Sequence, residues 1–75
     1  MSEEERLMEL VDSCCEAMKE RLRQKLKRGW TGWDDPKNIR QLKWNLHFNL
    51  QYPSEYLDVI NLAMFLWNLD GRSSK

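Results

Sequence analysis

Apolar side chains recur every three or four positions in the first third of the chain, which is the spacing of an amphipathic helix. This stripe consists of Met8, Val11, Cys15, Met18, Leu22 and Leu26, widened by Leu7 and Cys14. Ser2 followed three residues later by Glu5 is a capping-box signature at a helix start. Gly29 after a basic turn is a typical helix end. The pattern predicts a first helix over about residues 2–27.

A second helix is predicted over about residues 36–50. Asp35 followed by Pro36 is typical of an N-cap and a first helical position. The core stripe of this helix is Ile39, Leu42, Leu46 and Leu50. The segment between the two helices, from Gly29 to Asp34, holds two glycines and two tryptophans. Because glycine interrupts helices, this segment is predicted to be a loop.

A third helix is predicted over about residues 53–69, with Ser54 or Tyr52 as its cap. Its sequence from Leu57 to Leu69 is almost wholly apolar, which predicts burial on most sides. Residues 70–75 are polar and are expected to form a flexible tail.

The predicted fold is therefore all-α, with three helices in a single domain of residues 1–75. A 75-residue chain buries only a modest part of its surface. This chain nevertheless carries four Trp, two Tyr, two Phe and four Met. The excess of large apolar side chains predicts that the unit is completed by homo-oligomerisation, as a dimer or tetramer.

The formal net charge is zero, but the charges are segregated. Between Glu3 and Glu16 there are six acidic residues and one basic residue, Arg6. Between Lys19 and Arg28 there are six basic residues and one acidic residue, Glu20. Net neutrality argues against binding a nucleic-acid polymer. The basic block suits either a phosphorylated ligand or the negative end of a helix dipole.

The adjacent Cys14 and Cys15 point about 100° apart on a helix and do not bridge easily. With no signal peptide and no membrane-length apolar run, a soluble protein of the reduced cytoplasm, without a membrane partner, is expected.

Polar residues interrupt the third helix at Asp58, Asn61 and Asn68. Asp58 and Asn61 lie about 60° apart around the helix. An unpaired buried carboxylate is costly, so Asp58 should have a partner, which is a basic side chain, a metal ion or a ligand.

A ridge of asparagines, Asn38, Asn45 and Asn49, falls within about 40° on the second helix. Their amides suit base edges, riboses or interhelical hydrogen bonds. His47 lies away from this ridge, and no spacing supports a nucleophile with a His base.

A third candidate segment places Lys25, Lys27 and Arg28 just before Trp30 and Trp33. Bases next to an aromatic loop suit a phosphate with a stacked nucleobase. Alternatively, Trp30 or Trp33 packs into the core between the helices.

The segment EYLDVINLAMFL, from Glu55 to Leu66, resembles the ExxDVxN-type helix of the MazG-like nucleotide pyrophosphohydrolases, especially the small phage-type members. Lys27-Arg28-Gly29-Trp30 followed by Trp33 is similar to the Lys/Gly/Trp loop of phage-type members. The resemblance covers about residues 25–70 and implies an all-α fold.

In that family a second motif, EExxE, lies on the preceding helix, and the two motifs together hold magnesium. Glu55 and Asp58 match the family's metal ligands, but residues 42–50 contain no Asp or Glu. Asn45 and Asn49 are the nearest polar substitutes, and neutral amides hold magnesium poorly.

The resemblance and the missing carboxylates together imply a non-catalytic nucleotide-binding protein without a cofactor. One role this implies for a phage protein is a sponge that sequesters a cyclic nucleotide used as an antiviral defence signal. The candidate ligand-binding residues are Lys25, Lys27, Arg28, Trp30, Trp33, Asn45, Asn49, Asp58 and Asn61.

Two alternatives stay open. One is a magnesium-dependent nucleoside triphosphate pyrophosphohydrolase with Glu55 and Asp58 as metal ligands. The other is a structural helical interaction module, in which Asp58, Asn61 and the asparagine ridge only fix helix register.

Overall fold

The computed structural model of the chain describes residues 2–51 and 55–72, and three α-helices account for most of them. Helix α1 is Glu3–Lys27, α2 is Ile39–Gln51 and α3 is Tyr56–Leu66. A 3-10 turn, Pro36–Asn38, precedes α2, and a π-helical turn, Trp67–Gly71, continues α3. No strand occurs within the described ranges, so the prediction of an all-α, three-helix fold is confirmed.

The ends of α1 follow from its capping residues. Ser2 Oγ accepts a hydrogen bond from Glu5 N at 3.1 Å, and the Glu5 carboxylate accepts one from Ser2 N at 3.2 Å. At the other end, Gly29 adopts a φ of +83°, a left-handed conformation that favours glycine. The predicted capping box and glycine stop are therefore confirmed. No helix in the described parts of the chain is long and apolar enough to cross a membrane.

The start of α3 differs from the prediction. Glu55 holds the N-cap position and makes no capping hydrogen bond through its side chain. The predicted start near Pro53 and the predicted cap residues, Tyr52 and Ser54, lie in residues 52–54, outside the described part of the chain.

The end of α3 also differs. The α-helical pattern ends at Leu66, and the π-helical turn places Asp70 and Gly71 in helical structure instead of a tail. Arg72 closes the turn, since its N–H donates to the Trp67 carbonyl oxygen at 2.8 Å. Residues 73–75 of the predicted tail lie outside the described ranges.

The core is small and lies between α2 and α3. Its buried apolar side chains are Leu42 of α2 and Leu62 and Phe65 of α3. Partly buried side chains pack around it, namely Leu22, Trp30, Leu46, Met64, Leu66 and Leu69. Full burial on α3 is confined to one face, which carries Asn61, Leu62 and Phe65.

Burial along the third helix follows the prediction, but other predicted core residues are exposed. Of residues 57–69, Ile60, Ala63 and Trp67 are exposed and the other ten are buried or half-buried, so the expectation of burial on most sides is confirmed. Leu50 is exposed although it continues the α2 stripe. Helix α1 has no buried residue at all, and of its apolar stripe Leu22 is the member that packs against the core.

Candidate functional site

An open cavity of about 500 Å³ lies where the end of α1, the Gly/Trp loop and the end of α3 meet. Its wall is mostly apolar and includes Leu22, Leu26, Trp30, Trp33, Trp67 and Arg72. Cavities of this size and character are typical of small-molecule sites.

The loop that supplies two of these tryptophans is held at both ends. Trp30 N donates to the Lys25 carbonyl oxygen at 3.1 Å, which ties the loop to the last turn of α1. Asn38 Nδ2 donates to the Gly32 carbonyl oxygen at 2.8 Å, and Gly32 adopts a φ of +94°. These contacts fix the path of the loop, and with it the positions of its tryptophans.

Both loop tryptophans pack on the same core residue. The ring centroid of Phe65 lies 5.5 Å from that of Trp30 and 5.8 Å from that of Trp33. The two alternatives predicted for these side chains are therefore not exclusive. Each tryptophan contacts the core and also contributes to the cavity wall.

The cation that lines the cavity is one that the sequence did not suggest. The Arg72 guanidinium lies 5.1 Å from the centroid of Trp67, and both side chains belong to the wall. The sequence placed Arg72 in a tail and Trp67 in a buried helix. The five-residue spacing of the π-helical turn brings them together, and α-helical periodicity gives no signal for it.

The three basic residues identified in the sequence, Lys25, Lys27 and Arg28, do not line the cavity themselves. Lys25 Nζ lies 5.3 Å from the Trp30 ring centroid, on a tryptophan of the wall. Lys27 and Arg28 are exposed at the end of α1 and are not among the residues that line the cavity.

Asp58 is bound by basic side chains from α1. Arg21 Nε donates to Asp58 Oδ1, and Arg21 Nη2 donates to Oδ2, each at 3.0 Å. Lys25 Nζ lies 3.5 Å from Oδ1. The hydrogen bonds from Arg21 lower the pKa of Asp58 below its ordinary value, against the opposing effect of burial. Of the three predicted kinds of partner, the structure provides a basic side chain.

This arrangement does not fit a magnesium site at Glu55 and Asp58. Both Asp58 oxygens accept hydrogen bonds from Arg21, and Glu55 is an exposed N-cap residue. Among the residues that the structure describes, no three His, Cys, Asp or Glu side chains are grouped so that they could hold a metal ion. Magnesium requires several hard oxygen ligands, which this pair alone does not supply.

The asparagines occupy three different environments. Asn49 Nδ2 donates to the Asn45 carbonyl oxygen at 2.7 Å, and Asn45 Oδ1 accepts from Gln41 at 3.0 Å, so both are engaged within α2. Asn38 anchors the loop. Asn61 is only 1% exposed, and its amide finds no hydrogen-bond partner among the described residues. None of Asn45, Asn49 and Asn61 lines the cavity.

Comparison with family models, with curated proteins and with solved structures yields no match for this chain. The resemblance to MazG-like pyrophosphohydrolases therefore stays a prediction. The structure shows a small, all-α, three-helix protein.

Proposed function

We propose that this chain is a non-catalytic nucleotide-binding protein whose base site is the tryptophan-lined cavity. The observation that carries the proposal is the wall of this cavity, which combines Trp30, Trp33 and Trp67 with Arg72. Stacking of a base on an aromatic side chain contributes about 1–3 kcal/mol. A guanidinium group binds phosphate through two parallel hydrogen bonds.

The charge of the wall favours a ligand with few negative charges. Arg72 is the cation that lines the cavity among the described residues. A nucleoside triphosphate needs several cations or magnesium to balance its phosphates, whereas each phosphate of a cyclic nucleotide carries a single charge. We therefore propose that cyclic nucleotides are the preferred class of ligand. This is the class expected of a protein that sequesters a cyclic nucleotide defence signal.

The absence of catalysis is part of the proposal and rests on Asp58. Its carboxylate is occupied by Arg21, so it is not available to hold magnesium against a substrate. The pyrophosphohydrolase alternative requires this ion pair to open. We expect no release of pyrophosphate from any nucleoside triphosphate with magnesium present, and release that is abolished in Asp58→Ala would favour the alternative.

The binding experiment is isothermal titration of the protein with nucleoside mono- and triphosphates and with cyclic mono- and dinucleotides. We expect saturable binding that is tightest for a cyclic nucleotide and weakened at least tenfold by Trp67→Ala. The matched control is Trp44→Ala, because Trp44 is 59% exposed, close to the 57% of Trp67, but stacks on Phe48 away from the cavity.

The phosphate contact has its own pair of variants. Arg72→Gln should weaken binding of the nucleotide more than binding of its uncharged nucleoside, whereas Arg40→Gln on α2 should change neither. No binding by any nucleotide would overturn the proposal. An equal loss in the Trp44 and Trp67 variants would contradict the assignment of the cavity and favour the structural-module alternative.

A further inference from the structure

An apolar line of side chains on α1 is left uncovered by the rest of the chain. Met8, Val11 and Leu26 are 52%, 50% and 57% exposed, and Cys15 is also exposed. At about 100° per residue, these four positions lie within about 60° of one another around the helix. We call Met8, Val11, Cys15 and Leu26 the α1 seam. Met8, Val11 and Cys15 have the three- and four-residue spacing of paired helices, and Leu26 continues the same face eleven residues later.

The strip of α1 beside this seam changes charge along its length. Asp12 and Glu16 come first and Lys19 and Arg23 follow, and all four lie within about 60° around the helix. Their side chains are exposed, and the ion pairs recorded for them among the described residues are local, Lys19–Glu16 and Arg23–Glu20. The strip is therefore available to another molecule.

This charge pattern complements itself in one orientation. When two copies of the helix pair antiparallel, their charged strips run in opposite directions. The acidic first half of each strip then faces the basic second half of the other. The charges of the whole helix are divided in the same way. Residues 3–16 contain six acids and one base, and residues 19–28 contain six bases and one acid. Parallel pairing would place like charges together, which is unfavourable.

We propose that a second copy of this chain packs antiparallel along the α1 seam to form a homodimer. With Met8 of one copy against Leu26 of the other, Glu16 of each copy stands within one residue of Lys19 of the other. The same register brings Asp12 to within one residue of Arg23 of the other copy. The dimer buries the apolar side chains of the α1 seam, which the chain by itself leaves exposed.

A charge-swap experiment tests this arrangement by sedimentation velocity. Asp12→Lys with Glu16→Lys makes the strip wholly basic, and Lys19→Glu with Arg23→Glu makes it wholly acidic. We expect the wild-type chain to sediment as a dimer, each double variant alone as a monomer, and an equimolar mixture of the two as a dimer. Helicity measured by circular dichroism shows that each variant is folded.

Apolar variants provide the matched control. Val11→Asp should give a monomer, whereas Leu50→Asp, at an exposed position on α2, should leave the dimer intact. A monomeric wild-type chain would overturn the proposal. Dimers of both double variants, or a mixture that stays monomeric, would also overturn it, because each places the interface elsewhere. Leu26 belongs both to the seam and to the cavity wall, and it is left unchanged. None of the substituted residues lines the cavity, so nucleotide binding is tested separately.

Discussion

Arg21 on α1 and Asp58 on α3 form a bidentate ion pair, with Nε–Oδ1 and Nη2–Oδ2 distances of 3.0 Å. The pair joins a helix that has no buried residue to the helix that supplies most of the core. The fixed fork of the guanidinium constrains how the two helices lie against each other, together with the packing of Leu22 on the core. The position of α1 along α3, and with it one side of the tryptophan cavity, therefore depends on a polar contact.

Removing the carboxylate should cost stability. Asp58→Ala leaves two basic side chains without their partner, and we expect the free energy of unfolding in urea to fall by about 1–3 kcal/mol. The control is Asp70→Ala, because the Asp70 carboxylate is half exposed and lies 3.3 Å from Lys43. An exposed pair of this kind contributes about 0–1 kcal/mol. Equal losses in the two variants would contradict the structural role of Asp58.

The same pair should make stability depend on pH. Arg21 lowers the pKa of Asp58 in the folded chain, so the unfolded chain takes up this proton first as the pH falls. The contribution of Asp58 is complete above its ordinary pKa of 3.8 and is lost as the pH falls from there through the lowered folded value. The stability difference between wild type and Asp58→Asn should therefore shrink on acidification. A difference that stays constant down to strongly acid pH would contradict this linkage.

The folded chain should become more stable when Asn61 is replaced by an apolar residue. Its buried amide has no hydrogen-bond partner among the described residues, and such a group costs about 1–3 kcal/mol. We expect Asn61→Leu to raise the midpoint of thermal unfolding. Asn38→Leu is the opposite case, since it removes the 2.8 Å hydrogen bond to Gly32, and should lower the midpoint. A lowered midpoint for Asn61→Leu would show that its amide is satisfied.

The two loop glycines should differ in their tolerance of alanine. Both have a positive φ, which costs a residue with a side chain about 1–2 kcal/mol. A Cβ on Gly32 would also lie 2.8 Å from Asn38 Nδ2, whereas nothing lies within 4 Å of one on Gly29. Urea unfolding should therefore show a larger loss for Gly32→Ala than for Gly29→Ala. The reverse order would mean that the Asn38 contact does not constrain the loop.

The candidate site was only partly accessible from the sequence. The sequence identifies Trp30 and Trp33 because they lie in a glycine-interrupted loop directly after a basic segment. Arg72 and Trp67 were missed because their contact depends on a π-helical turn, which α-helical periodicity does not indicate. Asp58 was correctly expected to need a partner, but the identity of that partner, Arg21, depends on how α1 and α3 pack.

Local signals in the sequence were sufficient for the three helices, the capping box at Ser2 and the stop at Gly29. These features depend on backbone hydrogen bonds and on the conformational freedom of single residues, which neighbours in sequence determine. The tertiary structure decided which apolar faces are covered. Leu42 is buried and Leu50, on the same stripe, is exposed, because burial depends on where the neighbouring elements end. That property belongs to the packed chain and is absent from any single helix.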